Sequence, residues 1–178
     1  MKIFGIDPGL RSTGWGVIEI NGHALKWLAD GMIRPNPSNP DEARLHEISH
    51  EMGKLIDAHQ PDVVCIEEIF VAKNPASALK LGMARGAALV AVAARKCRVN
   101  TISARRVKQN VTGSGRADKK QVTAMVSRLL GVTPSGVDSA DALAIAIAAM
   151  NDQQPETSHE ASGLDAAIQR ALAKEKAS

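Results

Sequence analysis

Tyrosine is absent from the 178 residues, and two phenylalanines and two tryptophans make up all the aromatic content. A core must therefore be built from Val, Ile, Leu, Ala and Met. Long hydrophobic runs are missing too. The longest, GAALVAVAA over 86–94, is far short of the ~20 residues that a bilayer-spanning helix takes, so no membrane partner is expected. The opening residues show no signal-peptide layout, because their apolar run stops at Asp7. Cysteine occurs only at 65 and 97, in apolar surroundings and without metal-type spacing. That excludes a disulfide scaffold and fits buried thiols in a reducing cytoplasm, the expected location. The length suits one domain, placed at 1–151, and a polar tail over 152–178.

Negative charge is also missing from one long stretch. Between Lys73 and Arg128 there are 13 Lys and Arg but a single acid, Asp118, giving a local charge of +12. With a net charge of +3 for the chain, the remainder carries −9. A charge run is ordinarily a solvated face. One sign sustained over 56 residues that also read as folded fits a surface facing a polyanion, nucleic acid first.

What is present is strand and helix patterning. Alternation predicts strands over 2–7, 12–20 and 23–33, with Asn21-Gly22 as a hairpin signal, so the chain opens with an antiparallel meander. A helix over 41–59 puts Leu45, Ile48, Met52, Leu55 and Ile56 on one face. The stretch 62–70, DVVCIEEIF, is apolar on both faces, as an interior strand should be. Then follow a small-residue helix (76–95), a strand (98–103), a basic helix (104–111), the loop TGSGR, and helices over 118–130 and 138–150. From 152 the composition turns polar, with a marginal helix expected over 164–176. The sum is an α/β fold, a mixed sheet covered by helices, in which ligands gather at strand ends.

Asp7 sits at such an end. An ionised carboxylate after Ile3-Phe4-Gly5-Ile6 is costly unless paired. Asp7-Pro8-Gly9 is also plain turn chemistry. Glu67 and Glu68 interrupt another apolar strand, and either one can emerge into solvent. Asp138 and Asp141, three apart, share a helix face, yet acids in a first turn also complement the helix dipole, and Ser135 to Asp138 resembles a capping box. Taken jointly the acids say more, because independent turns and caps need not converge whereas a two-metal site requires it. Hard oxygen ligands suit Mg²⁺, and two such ions can activate water and stabilise a leaving oxygen in phosphoryl displacement. Beside a +12 surface, this constellation reads as a metal-dependent nuclease.

Four motifs, GIDPGxRxTGWG, IExxFxxKNxxSALKLGxARG, ARxVKQxVTGxGxADKxQV and DxADALAIA, together resemble the RuvC family of Holliday-junction resolvases over roughly 1–150. The resemblance implies a ribonuclease H-like fold of five strands, the first three antiparallel. It implies a homodimer that introduces symmetric paired nicks in four-way DNA junctions, leaving 5′-phosphate and 3′-hydroxyl ends. Two Mg²⁺ per site, with Mn²⁺ as substitute, and partnership with the RuvA–RuvB branch-migration complex in recombination and repair belong to the same expectation. Asp7, Glu67, Asp138 and Asp141 match the family's metal-binding acids, which chooses Glu67 over Glu68. Lys108 and Lys119 match basic positions that support DNA binding and catalysis, and Phe70 an aromatic that stacks at the junction's centre, or else a core residue. Lys73, Asn74, Lys80, Arg85, Arg105, Arg116 and Lys120, within or beside these motifs, are expected on the DNA face.

Two further features admit two uses each. Ala78, Gly82 and Gly86 form a small-residue stripe that suits packing on the sheet or a dimer contact. Gly113-Ser114-Gly115-Arg116 reads as a phosphate-contacting loop or a plain turn. Three rival functions remain open: a junction-binding scaffold that does not cut, a phosphotransferase suggested by DPGxRxTGWG, and a relative acting on RNA.

Overall fold

The computed structural model describes residues 1–22, 24–69 and 75–151. Phe70, Lys73, Asn74, the tail 152–178 and its expected helix lie outside the described residues. The chain runs β1 (Lys2–Asp7), β2 (Thr13–Asn21), β3 (Ala24–Ile33), α1 (Asp41–His59), β4 (Val63–Glu67), α2 (Pro75–Ala93), β5 (Arg98–Ile102), α3 (Ala104–Thr112), α4 (Lys119–Leu130) and α5 (Val137–Asn151). The strands form one sheet in the order β3-β2-β1-β4-β5. β1, β2 and β3 are antiparallel, and β4 and β5 run parallel to β1. The expected meander is present: Asn21 pairs with Ala24, and Gly22 supplies the positive φ of 62° that the turn needs.

β1 is central and buried on both faces, and its alternation sorts two cores. Ile3 joins Ile18, Ile102, Val107, Val122, Leu143 and Ile147 beneath α3, α4 and α5. Phe4 and Ile6 join Val17, Ile66, Ile48, Met52 and Ala88 beneath α1 and α2. Helix ends follow local chemistry. Ser103 caps α3, and Asp118 with Gln121 forms a capping box on α4, so the single acid of the basic stretch is spent on a helix start. Cys65 is buried and Cys97 half-buried, and they form no disulfide.

Two elements depart from expectation. β4 ends at Glu67 rather than 70, because its partner β5 ends at Ile102, the residue that registers with Glu67. α2, at 19 residues, is long and apolar enough by length and composition to cross a bilayer, although the apolar run within it is not. The helix simply continues through Lys80 and Arg85. It packs along α1 through Ala84, Ala88, Ala91 and Val92, leaving Leu79, Gly82, Gly86 and Val90 exposed. Among the described residues a Cβ on Gly82 or Gly86 would meet nothing within 4 Å, so packing among them does not explain those glycines.

α5 approaches the sheet more closely than any side chain would allow. A Cβ on Gly5 would overlap the Ala142 carbonyl, and one on Gly16 would press within 2.7 Å of Leu143. Gly5→Ala is therefore expected to cost about 3 kcal/mol or more of unfolding free energy, because the obstacle is helix backbone rather than a movable side chain. Urea denaturation measures it, and a loss below 1 kcal/mol would show that α5 can shift outward freely.

Candidate active site

Parallel strands that end together present their last residues side by side. Ile6 of β1 registers with Ile66 of β4, so Asp7 and Glu67 emerge as neighbours and their side chains hydrogen-bond. On the other side Asp7 pairs across the ladder with Gly14 of β2. Gly14 has no side chain, and a Cβ there would overlap the Asp138 carbonyl. That contact brings the first turn of α5 onto the strand ends, with Asp138 and, on the same helix face, Asp141. Glu67, Asp141 and Asp138 all act electrostatically on Asp7. Glu68, just past the end of β4, is exposed.

The centre carries more negative charge than it neutralises. Burial, then repulsion from Glu67, Asp141 and Asp138, pushes Asp7 up to about 8. Glu67 is raised as well, by burial and by Asp141. The nearest compensation is Lys119, whose ammonium donates to Asp141 at 2.8 Å and whose own pKa is raised by that bond. Lys108 contributes a weaker field at Glu67. Among the described residues no three His, Cys, Asp or Glu side chains form a ready-made metal cage. The donor set still fits hard divalent cations, being all oxygen and underneutralised.

Residues that escaped the sequence reading hold this geometry. The Thr13 hydroxyl closes the loop after Asp7, donating to the Gly9 carbonyl at 2.8 Å and accepting from the Gly9 amide at 3.3 Å. Arg44, buried on α1, donates to the Leu10 carbonyl at 2.9 Å. Asp30 on β3 accepts from the Ser135 amide at 2.7 Å and the Trp27 indole at 2.8 Å, tying the start of α5 to the sheet. Burial opposes the ionised form of Asp30, yet these bonds hold its pKa below the usual range. The capping-box reading of Ser135 to Asp138 fails here. The Ser135 hydroxyl faces the Asp30 carbonyl, and Ser139 bonds to Gly136 instead, so Asp138 is not used as a cap. Thr13 stands within the GIDPGxRxTGWG motif, whereas Arg44 and Asp30 lie in none, and only the fold reveals that Asp30 meets Ser135, 105 residues away.

The expected basic residues divide. Lys108, Arg105 and Arg116 line one groove of about 550 Å³, and Lys120 is exposed beside Lys119. Arg85 donates to the Glu67 carbonyl at 3.1 Å, holding the end of β4. Lys80 lies 3.8 Å from Asp41, near α1.

A family model described as crossover junction endodeoxyribonuclease RuvC matches residues 3–149. A protein of that name from Maricaulis maris is 50% identical over 147 residues, covering 83% of this chain and 89% of its own. One from Erythrobacter litoralis is 47% identical over 150 residues, 84% of this chain and 92% of its own. Thermus thermophilus RuvC in complex with a Holliday junction substrate is similar with a TM-score of 0.78 and 33% identity, covering 83% of this chain and 92% of that one. The yeast mitochondrial Holliday junction resolvase Ydc2, 12% identical with a TM-score of 0.61 over 83% of this chain and 78% of its own, shares the fold alone. The architecture is the ribonuclease H-like one expected from the sequence.

The crowding has a pH signature. Without a cation, the folded chain holds a proton at Asp7 up to about pH 8 that an unfolded chain releases near 3.8. The folded state then binds more protons across that window, so its stability falls as pH rises through it. In EDTA, Asp7→Asn should be more stable than wild type by on the order of a few kcal/mol at pH 8 and nearly equal at pH 4. Urea titrations at both pH values read this out. A wild type equally stable at both, relative to the variant, would mean the acids do not press on one another.

Proposed function

This chain belongs to the RuvC family of crossover junction endodeoxyribonucleases, and on that premise we propose that it resolves four-way DNA junctions by symmetric paired nicks. The observation that carries the proposal is the convergence of Asp7, Glu67, Asp138 and Asp141 from three elements beside Lys119, at the foot of a strongly basic surface. These four carboxylates would hold two Mg²⁺, or Mn²⁺ in their place. Such a pair, when bound, supplies an activated water and neutralises the leaving oxygen.

The chain's own groups do the rest. Asp7 and Glu67 give up their shared proton and become acceptors only. The Lys119 ammonium, exposed on its outer side and bonded to Asp141, is placed to meet the phosphate next to the cut. Lys108 supplies a second cation on the Glu67 side. Arg105, Arg116 and Lys120 draw the backbone in, Lys73 and Asn74 are assigned to the DNA face, and Phe70 is assigned to the junction's centre by the family motif. Products would carry 5′-phosphate and 3′-hydroxyl ends, in a cytoplasmic recombination and repair pathway with a RuvA–RuvB type partner.

Two symmetric cuts call for two active sites, so we assign a homodimer to the exposed stripe of α2. Leu79 and Val90 there are 66% and 64% exposed, and Gly82 and Gly86 between them leave open space into which a second helix fits closely.

A labelled mobile four-way junction tests the activity. Paired symmetric nicks are expected with Mg²⁺, on the junction and not on linear duplex, and none with EDTA. Asp7→Asn should cut at least about 100-fold more slowly while binding the junction as tightly or more so, since phosphate repulsion falls. A shift in mobility without nicking, in Mg²⁺ and Mn²⁺ alike, would instead make the protein a scaffold. For the dimer, Gly86→Leu is expected to sediment as a folded monomer where wild type sediments as a dimer. A dimeric variant would move the interface elsewhere.

A further inference from the structure

The loop between α3 and α4 is a ridge with a basic groove on each side. The first groove, already described, adjoins the acidic centre through Lys108. The second, of about 610 Å³, shares Ser114 and Arg116 with the first and extends along α4 to Arg128. Arg128 stands nine residues after Lys119, or two and a half turns, so the two lie on opposite faces about 14 Å apart along the axis. Val122, Val126 and Leu130 fill the core face of α4, while Gln121, Ala124, Met125 and Arg128 line the groove on the outer one.

The donors available in that groove are specific. The loop amides of Ser114, Gly115 and Arg116 are satisfied internally, by Thr112, Gln109 and Ser114 side chains. The ridge is therefore a built turn, and it offers no backbone nest for an anion. Gln121 accepts the Asp118 amide through Oε1 at 2.9 Å, leaving its NH₂ to donate. With the guanidinium groups of Arg116 and Arg128 and the Ser114 hydroxyl, the groove presents several donors and no acid. Phosphate oxygens match that set, and Met125 and Ala124 form only a shallow apolar floor.

We propose that this second groove binds the phosphate backbone of a DNA arm beyond the cut, with Arg116 and Arg128 as its contacts. The inference rests on the junction-cutting reading and lengthens its DNA path over the ridge, several base steps past Lys119. The competing account is that Arg128, in the last turn of α4, serves only the helix dipole.

Junction affinity measured against salt decides between them. Arg128→Gln should lower the slope of log affinity against log salt by about 0.9 and weaken binding roughly fivefold to tenfold near 0.1 M salt. Arg128→Glu should lower the slope further. Lys26→Ala, exposed on β3 and lining neither groove, removes the same charge as a control and should leave the slope alone. A melting temperature lowered by Arg128→Gln with an unchanged slope would overturn the groove in favour of the dipole. An equal slope change from Lys26→Ala would overturn it in favour of diffuse attraction. Cutting altered on some sequences but not others, at constant slope, would assign the groove to a base and overturn the backbone contact. Measuring wild-type cleavage alongside separates the two readings: slope loss at Arg128 in a protein that binds but does not cut would keep the groove and discard the nuclease.

Discussion

The contact of α5 backbone with the backbone of β1 and β2 is the constraint on which this structure depends. Gly5, Gly14 and Gly16 clear a lane on one face of the sheet, and Ala142 and Ala146 let the helix settle into it. Few side chains fit between, so dispersion and exclusion of water act over closely matched backbone surfaces. The depth of that contact decides where the first turn of α5 lies. Were the helix one side-chain layer higher, Asp138 and Asp141 would stand above the strand ends rather than against them.

A cost accompanies the convergence. Gathering four carboxylates at the rim of a buried sheet raises Asp7 and Glu67, and one ammonium offsets only part of the repulsion. The surroundings hold the acids there regardless. Thr13 and Arg44 fix the loop after Asp7, Arg85 holds the end of β4, and Asp30 ties down the loop before α5. Each anchor works on a main-chain group, so the carboxylates themselves stay available to a ligand. The stored repulsion is what a pair of divalent cations would relieve.

Around this negative point the chain places Lys108 and Lys119, with Arg105 and Arg116 in the adjoining groove. Asp118, the lone acid between Lys73 and Arg128, is withdrawn into a capping box. A polyanion approaching the surface is drawn to the ridge between α3 and α4 and meets repulsion only at the acids. Attraction over a wide face and repulsion at one spot is the field expected where metal ions complete the site.

Most of the element order was legible before any coordinates, because strand alternation, the Asn21-Gly22 turn and the apolar face of α1 are local signals. So were Asp7, Asp138 and Asp141 as unusual acids, and the one-signed charge over 73–128. Local signals stopped at choices that depend on a neighbour. Period 2 did not distinguish Glu67 from Glu68; the register with β1 does. Ser135 looked like a cap until Asp30, distant in sequence, claimed it. Gly82 and Gly86 resembled Gly5 and Gly14 as glycines in apolar company, yet the first pair faces open space and the second pair faces a helix. The sequence by itself determined which elements form and which charges they carry, since those follow from propensity and periodicity within a few residues. Only the tertiary structure decided which groups meet, because burial, repulsion and close backbone approach are properties of pairs that the chain brings together after it folds.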